Sequence, residues 1–160
     1  MDKKTILLSD NWRFHLGDEP YAWQAWYDDS EWKEVTVPHD WSVELPFSRE
    51  YSSGTGYLAG GIGWYRLRFA PDPSWEGKQI SITFNGVYKN SKVWFNSYYM
   101  GERPNGYITF TYDVTKQFQF GICEDTPMLA EARLFQKIGD NARKYRFQPR
   151  MLPDQKDRGV

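Results

Sequence analysis

A single cysteine, Cys123, and two histidines, His15 and His39, are the whole soft-ligand inventory of the 160 residues. One cysteine excludes an intrachain disulfide, and three such residues exclude a Cys/His metal cluster. Charge of either sign is equally scarce in excess. Twenty Lys and Arg against 21 Asp and Glu leave a net charge of -1, so there is no electrostatic footprint for nucleic acid or an anionic membrane. Long apolar runs are missing too. The opening Met1–Asp10 stretch holds three consecutive apolar residues, Ile6, Leu7 and Leu8, too few for a signal peptide core or a membrane span. The expected compartment is the cytoplasm. Gly60-Gly-Ile-Gly-Trp-Tyr-Arg66 lacks the Gly-Lys-Ser/Thr ending of a phosphate loop and runs into a strand pattern instead of a helix. No Ser or Cys stands on a nucleophile elbow. His39 and Asp40 are adjacent, and sequence neighbours rarely face each other as base and orienter. The better reading of Val37-Pro-His-Asp-Trp41 is a strand end stopped by Pro38, with Asp40 capping nearby amides. No metal or cofactor is expected.

What the chain does have is aromatic. Eight Trp, eleven Tyr and ten Phe suit pleated, half-buried surfaces better than a helical bundle. Short runs alternate with period two. Trp12, Phe14 and Leu16 share a face, and Glu34–Val37 is brief. Tyr65, Leu67 and Phe69 share a face within 64–69, and Ile80, Ile82 and Phe84 within 79–84. Val93 and Phe95 follow in 91–96, then Ile108, Phe110 and Tyr112 in 107–112. Many short strands without a long helical stretch predict an all-β antiparallel sandwich or jelly roll. The Pro38–Gly63 connection is long and glycine-rich, and such loops are usually functional or packed against a partner.

The pattern changes after Gly121. All eight Trp lie at or before Trp94, and the 121–160 segment carries eight Lys and Arg against six Asp and Glu. Ala130, Leu134, Ile138 and Ala142 recur at helical spacing, interrupted at Gly139, and no strand pattern follows Tyr112. Residues 149–160 are polar and read as lacking structure. The expected division is 1–121 as the sandwich and 122–160 as a divergent tail.

Five strings now carry a resemblance: Asn11-Trp-Arg-Phe-His-Leu-Gly17, Trp32–Trp41 ending Val-Pro-His-Asp-Trp, Gly60–Arg66, Phe84-Asn-Gly-Val-Tyr-Lys-Asn-Ser-Lys-Val-Trp-Phe-Asn96, and Gly106–Thr115. Their order and spacing resemble the successive signatures of family 2 β-galactosidases. The resemblance implies a galactose-binding-like jelly roll at the N-terminus of a retaining glycosidase. His39, Asp40, Trp41, Gly63, Trp64, Tyr65 and Arg66 are its structural motif residues. It further implies downstream immunoglobulin-like and (β/α)8 barrel domains, the latter holding the catalytic Glu pair that retaining hydrolysis needs. No catalytic residue is therefore assigned to this chain. By the same resemblance the Gly86–Ser91 loop helps close the subsite for the β-galactoside or related glycan. Asn90, or its neighbour Tyr88, is then the sugar contact, since an amide both donates and accepts; otherwise Asn90 caps the turn into the next strand.

The resemblance stops near Gly121, where members continue with further strands. A truncated or frame-shifted gene would produce that loss, and the family's strand motifs in another reading frame downstream would reveal a frame shift. A sandwich without closing strands would expose sheet edges and be marginally folded. Other readings stay open: a β-glucuronidase or β-mannosidase relative, a stand-alone carbohydrate-binding module using Trp23, Trp26 or Trp41 as stacking faces, or a scaffold domain.

Overall fold

The structure, a computed structural model, describes residues 4–118, 136–137 and 149–153. These residues form strands β1 (Ile6–Leu7), β2 (Trp12–Leu16), β3 (Lys33–Val35), β4 (Ile62–Leu67), β5 (Ile80–Phe84), β6 (Ser91–Phe95), β7 (Tyr98–Arg103), β8 (Phe110–Asp113), β9 (Gln136–Lys137) and β10 (Pro149–Pro153). One sheet runs β1-β10-β5-β8, a second runs β3-β2-β4-β9, and β6-β7 form a hairpin. All pairings are antiparallel. Helical structure among the described residues is confined to short 3-10 turns such as Trp41–Glu44. The expected antiparallel sandwich is what forms.

Side-chain alternation explains the core. β5 buries Ile80, Ile82 and Phe84 and turns Ser81 and Thr83 outward. Its partner β8 places Phe110 opposite Phe84 and Tyr112 opposite Ile82, and the Phe84 and Phe110 rings stack at 5.0 Å. Trp12, Phe14, Tyr65 and Leu67 from the facing sheet, with Val93 and Phe95 of the hairpin, complete one cluster. Each fully buried Val, Leu, Ile or Phe contributes about 1.5–3 kcal/mol.

Strand β4 is buried on both faces, which alternation alone does not foretell. Tyr65 and Leu67 point into the core, while Trp64 and Arg66 on the other side are 0% exposed. The cover is the irregular segment 18–32, whose Ala22 and Trp32 join Trp64 in a second cluster. The hairpin turn explains why Ser97 stands where Gly is usual. Asn96 and Ser97 have φ of 48° and 67°, the positive pair that a tight two-residue hairpin turn requires. The Ser97 hydroxyl accepts a hydrogen bond from the Ala25 N–H at 2.9 Å, tying the cover to the hairpin. Glycine would fit the turn but lose that tie.

Several expectations need correction. Leu16 is 40% exposed and Ile108 47% exposed; Leu16 ends β2, and Ile108 precedes β8. The predicted 107–112 strand begins only at Phe110 because Asn105 Oδ1 accepts from the Tyr107 N–H at 2.8 Å, folding the backbone into a local turn. In the tail, residues 136–137 of the predicted helix are strand instead, paired with Ile62 and Gly63; the rest of that helix lies outside the described residues. Residues 149–153, expected to lack structure, form β10 between β1 and β5. Polarity is a poor guide there because a ladder is made by backbone groups. The two prolines stand at the ends of β10, where a missing donor costs least, and Arg150, Met151 and Leu152 keep theirs. Residues 154–160 lie outside the described residues.

Candidate functional site

Two connections meet at one rim of the sandwich: residues 85–90 between β5 and β6, and residues 104–109 between β7 and β8. They are fastened at several points. The Asn90 N–H donates to the Pro104 carbonyl at 3.3 Å. Ser91 Oγ donates to the Arg103 carbonyl at 3.3 Å, and Thr109 Oγ1 to the Asn85 carbonyl at 3.3 Å. Between them Gly106 lies so close to Tyr88 that an added Cβ would meet its Cα at 2.8 Å. Tyr88 itself is buried, 8% exposed, and its ring meets that of Tyr107 at 5.6 Å and 81°.

Asn90 stands in the left-handed region at φ 56°, a conformation Asn tolerates better than most residues. Its burial is intermediate, and among the described residues its side-chain amide makes no hydrogen bond; the bond to Pro104 uses the backbone. Lys89 Nζ lies 5.7 Å from the Tyr88 ring centre. The rim therefore presents an uncommitted donor-acceptor pair on a firmly seated turn.

The segment around His39 has a different character. Asp40 accepts from the Ser42 N–H at 3.1 Å and caps the Trp41–Glu44 turn. His39 Nδ1 is 2.8 Å from the Tyr65 hydroxyl and Nε2 is 3.3 Å from Glu44 Oε1. Glu44 in turn accepts from Lys33 Nζ at 2.7 Å. Burial, with the charges of Asp40 and Glu44 behind it, pushes the Tyr65 phenol well up from its ordinary value, so the hydroxyl that shares a hydrogen bond with His39 stays protonated. The four side chains form a strut from the core to the surface, with no nucleophile in it. Trp41 is a core residue at 1% exposure. A Cβ on Gly63 would stand 3.0 Å from Phe14 Cε2 and 3.2 Å from Trp41 Nε1, so glycine admits the indole.

The strut gives a pH prediction. The Lys33 hydrogen bond, helped by His39 and opposed by desolvation, holds the Glu44 carboxyl below its ordinary 4.5. A depressed carboxyl pKa adds stability above the unfolded value and loses it as pH falls through the folded one. Glu44→Gln is thus expected to lower Tm slightly at pH 7 and to match the parent chain in strong acid. The effect is small because Glu44 is 43% exposed and solvent screens it. A Tm difference that stays constant from pH 7 down to about pH 2, well below the ordinary carboxylate range, would contradict this.

Arg66 anchors the outer cover. It donates to the Tyr27 carbonyl at 2.7 Å and the Gln24 carbonyl at 3.3 Å. Its Nε lies 3.2 Å from Asp29 Oδ2, an ion pair although not aligned as a hydrogen bond. Arg68 reaches Asp29 Oδ1 at 3.0 Å. The Trp64 ring stacks on Trp94 at 5.8 Å. Of the three tryptophans considered as sugar platforms, Trp41 is core, Trp23 is partly buried against the second cluster, and Trp26 is 72% exposed. Sequence reasoning missed Gly106, Tyr107 and Asp29; the Asn105-Gly106 pair between two strand patterns was the available signal. Among the described residues no group of three His, Cys, Asp or Glu is placed to hold a metal ion, and no helix is long and apolar enough to cross a membrane.

The family model described as "Glycosyl hydrolases family 2, sugar binding domain" matches residues 6–125, and the chain belongs to that family. A second model, described as YoqE prophage protein, matches residues 112–151. The chain is similar to β-galactosidase BoGH2A of Bacteroides ovatus, 43% identical over 137 residues covering 84% of this chain and 16% of the relative. It is also similar to a putative β-glucuronidase of Formosa agariphila, 44% identical over 116 residues covering 71% of this chain and 11% of the relative. A crystal structure of a glycosyl hydrolase family 2 member from Bacteroides cellulosilyticus is 30% identical with TM-score 0.79, over 93% of this chain and 20% of that one. The chain thus spans about a sixth or less of the curated relatives' length.

Proposed function

We propose that this chain works as the sugar-binding domain of a retaining family 2 glycosidase acting on β-D-galactosides. The Asn90 amide forms one wall of the glycone subsite, and Tyr88 is the buried support behind it. A (β/α)8 barrel supplies the two Glu residues, and an immunoglobulin-like domain links the two. The observation that carries this reading is the uncommitted Asn90 amide on a turn locked by Gly106. The half of the Pro38–Gly63 loop bearing Phe47 and Tyr57, 74% and 46% exposed, suits a contact with such further domains. Residues 1–121 form the sandwich in this reading, and 122–160 are a divergent tail, of which residues 136–137 and 149–153 pair with sandwich strands.

Grafting this chain in place of the matched 137-residue segment of the Bacteroides ovatus enzyme tests it. The chimera is expected to cleave a chromogenic β-galactoside, with kcat/KM falling about tenfold on Asn90→Ala, the effect of one lost hydrogen-bonding group. The 160-residue chain alone is expected to show no turnover. Turnover by the chain alone, or an Asn90→Ala chimera with unchanged kcat/KM, refutes the reading. A chimera that prefers a β-glucuronide moves the substrate to that class. The exposure of Trp26 favours a second reading, a carbohydrate-binding module independent of any barrel; loss of glycan binding on Trp26→Ala would support it.

A further inference from the structure

We propose that the depression between residues 47–49 and 56–57 binds a sugar carrying one anionic group, a carboxylate or a sulfate, with Arg49 as its anchor. The site shares no residue with the rim that carries Asn90 and does not depend on the reading of Asn90. The depression holds about 930 Å³ and is lined by Phe47, Ser48, Arg49, Gly56 and Tyr57, a volume in the range of small-molecule sites. Backbone bonds hold its sides together. The Ser48 N–H donates to the Tyr57 carbonyl at 3.0 Å, and the Tyr57 N–H donates to the Ser52 carbonyl at 3.0 Å. These bonds keep Tyr57 in the left-handed region at φ 62°, which a bulky residue seldom adopts. Gly56 shares that region at φ 68°, and a Cβ added to it would meet nothing within 4 Å, so the depression is open there.

The lining offers two kinds of uncommitted chemistry. Phe47 is 74% exposed and Tyr57 46%. Among the described residues neither ring meets another ring, and the Arg49 guanidinium has no ion pair or hydrogen bond. No acid stands in the lining to neutralise that charge. A guanidinium fork matches a carboxylate or the oxygens of a sulfate. Aromatic faces hold the C–H face of a pyranose. The Ser48 hydroxyl accepts from the Glu50 N–H at 3.2 Å and keeps its own proton for a sugar oxygen. One anionic group suits the site better than several. Glu50, next to Arg49, is exposed and repels a second negative charge, and a net charge of -1 gives a polyanion no field to follow. A run of acidic residues on a protein partner is disfavoured for the same reason. A further domain packed beside this loop would add a wall, as domain boundaries commonly do for ligand sites. Without such a wall the depression is open to solvent, and its affinity is weak.

NMR titration of the full 160-residue chain tests the site. Methyl β-D-glucuronide is the carboxylate probe and the 6-sulfate of methyl β-D-galactopyranoside the sulfate probe; methyl β-D-glucopyranoside and methyl β-D-galactopyranoside are their neutral counterparts. At least one charged sugar is expected to bind with a dissociation constant on the order of 1–10 mM, about tenfold tighter than its neutral counterpart, and the one that binds identifies the anion. Arg49→Met should remove that advantage, and Arg49→Lys should keep only part of it, since an ammonium is a point charge without a fork. Phe47→Ser should weaken charged and neutral sugars alike, by about three- to fivefold. Lys78→Met, which removes an exposed charge outside the loop, should change nothing. Dispersed amide spectra confirm that each variant is folded. Absence of binding of either charged sugar to the folded parent chain overturns the site. So does equal affinity for charged and neutral sugars, or full affinity for the charged sugar in Arg49→Met. A triglutamate peptide that binds more tightly than both charged sugars, and loses its affinity on Arg49→Met, overturns the sugar assignment in favour of an acidic protein partner.

Discussion

Replacing Arg66 by Met is expected to destabilise the domain by about 3–5 kcal/mol, the cost of removing one partner from a buried ion pair. The guanidinium is 0% exposed and serves several masters at once. It satisfies the Gln24 and Tyr27 carbonyls, neutralises Asp29, whose side chain is 6% exposed, and lies 5.3 Å from the Tyr27 ring and 5.9 Å from the Trp32 ring. Methionine fills much of the volume but leaves the Gln24 carbonyl with the Tyr27 N–H at 3.2 Å and makes Asp29 dependent on Arg68. Arg66→Lys should also be costly, because an ammonium cannot serve these groups as a planar fork does. If the cost is the orphaned carboxylate, the double variant Arg66→Met with Asp29→Asn should recover part of the loss. Urea unfolding measures all three. A loss below about 1 kcal/mol for Arg66→Met, within the ordinary range of single substitutions, would mean the cover over β4 is not held by this residue.

Arg66 also shows where the sequence was legible and where it was not. Period-two alternation marked the inward faces of β2, β5 and β6 correctly at Trp12, Phe14, Ile80, Ile82, Phe84, Val93 and Phe95, because those strands have one buried face and a polar or half-buried other. In β4 the same rule found Tyr65 and Leu67 but read Trp64 and Arg66 as outward. They are outward from the core, and yet they are buried, because residues 18–32 fold over them without any period of their own. A cover made of irregular backbone leaves no rhythm in sequence. The tail failed for the opposite reason: β10 takes its place by backbone pairing, so its short, proline-flanked sequence carried no strand signal. At the rim, Asn90 was reached through resemblance to a family. Tyr107 was absorbed into a strand pattern because nothing in the alternation announces that Asn105 bends the chain just before it.

Gly106→Ala is expected to cost about 1–3 kcal/mol, at the upper end of that overpacking range, and to lower the kcat/KM of the chimera as well. The reason is steric and not conformational. A single Cβ would collide with Tyr88 Cδ2 and lie 2.8 Å from its Cα and 3.0 Å from its Cβ. A ring atom can swing aside, but the Tyr88 Cα belongs to the turn that carries Asn90. Relief therefore requires the two connections to part, which displaces the turn carrying the Asn90 amide. Adding Tyr88→Ala to Gly106→Ala removes the contact with Cδ2 and leaves those with Cα and Cβ, so it should recover only part of the stability. It should not restore kcat/KM. A Gly106→Ala variant within about 0.5 kcal/mol of the parent chain, the level of an uncommitted surface site, would show that the rim is loose. The binding geometry would then have to be assembled by whatever faces it.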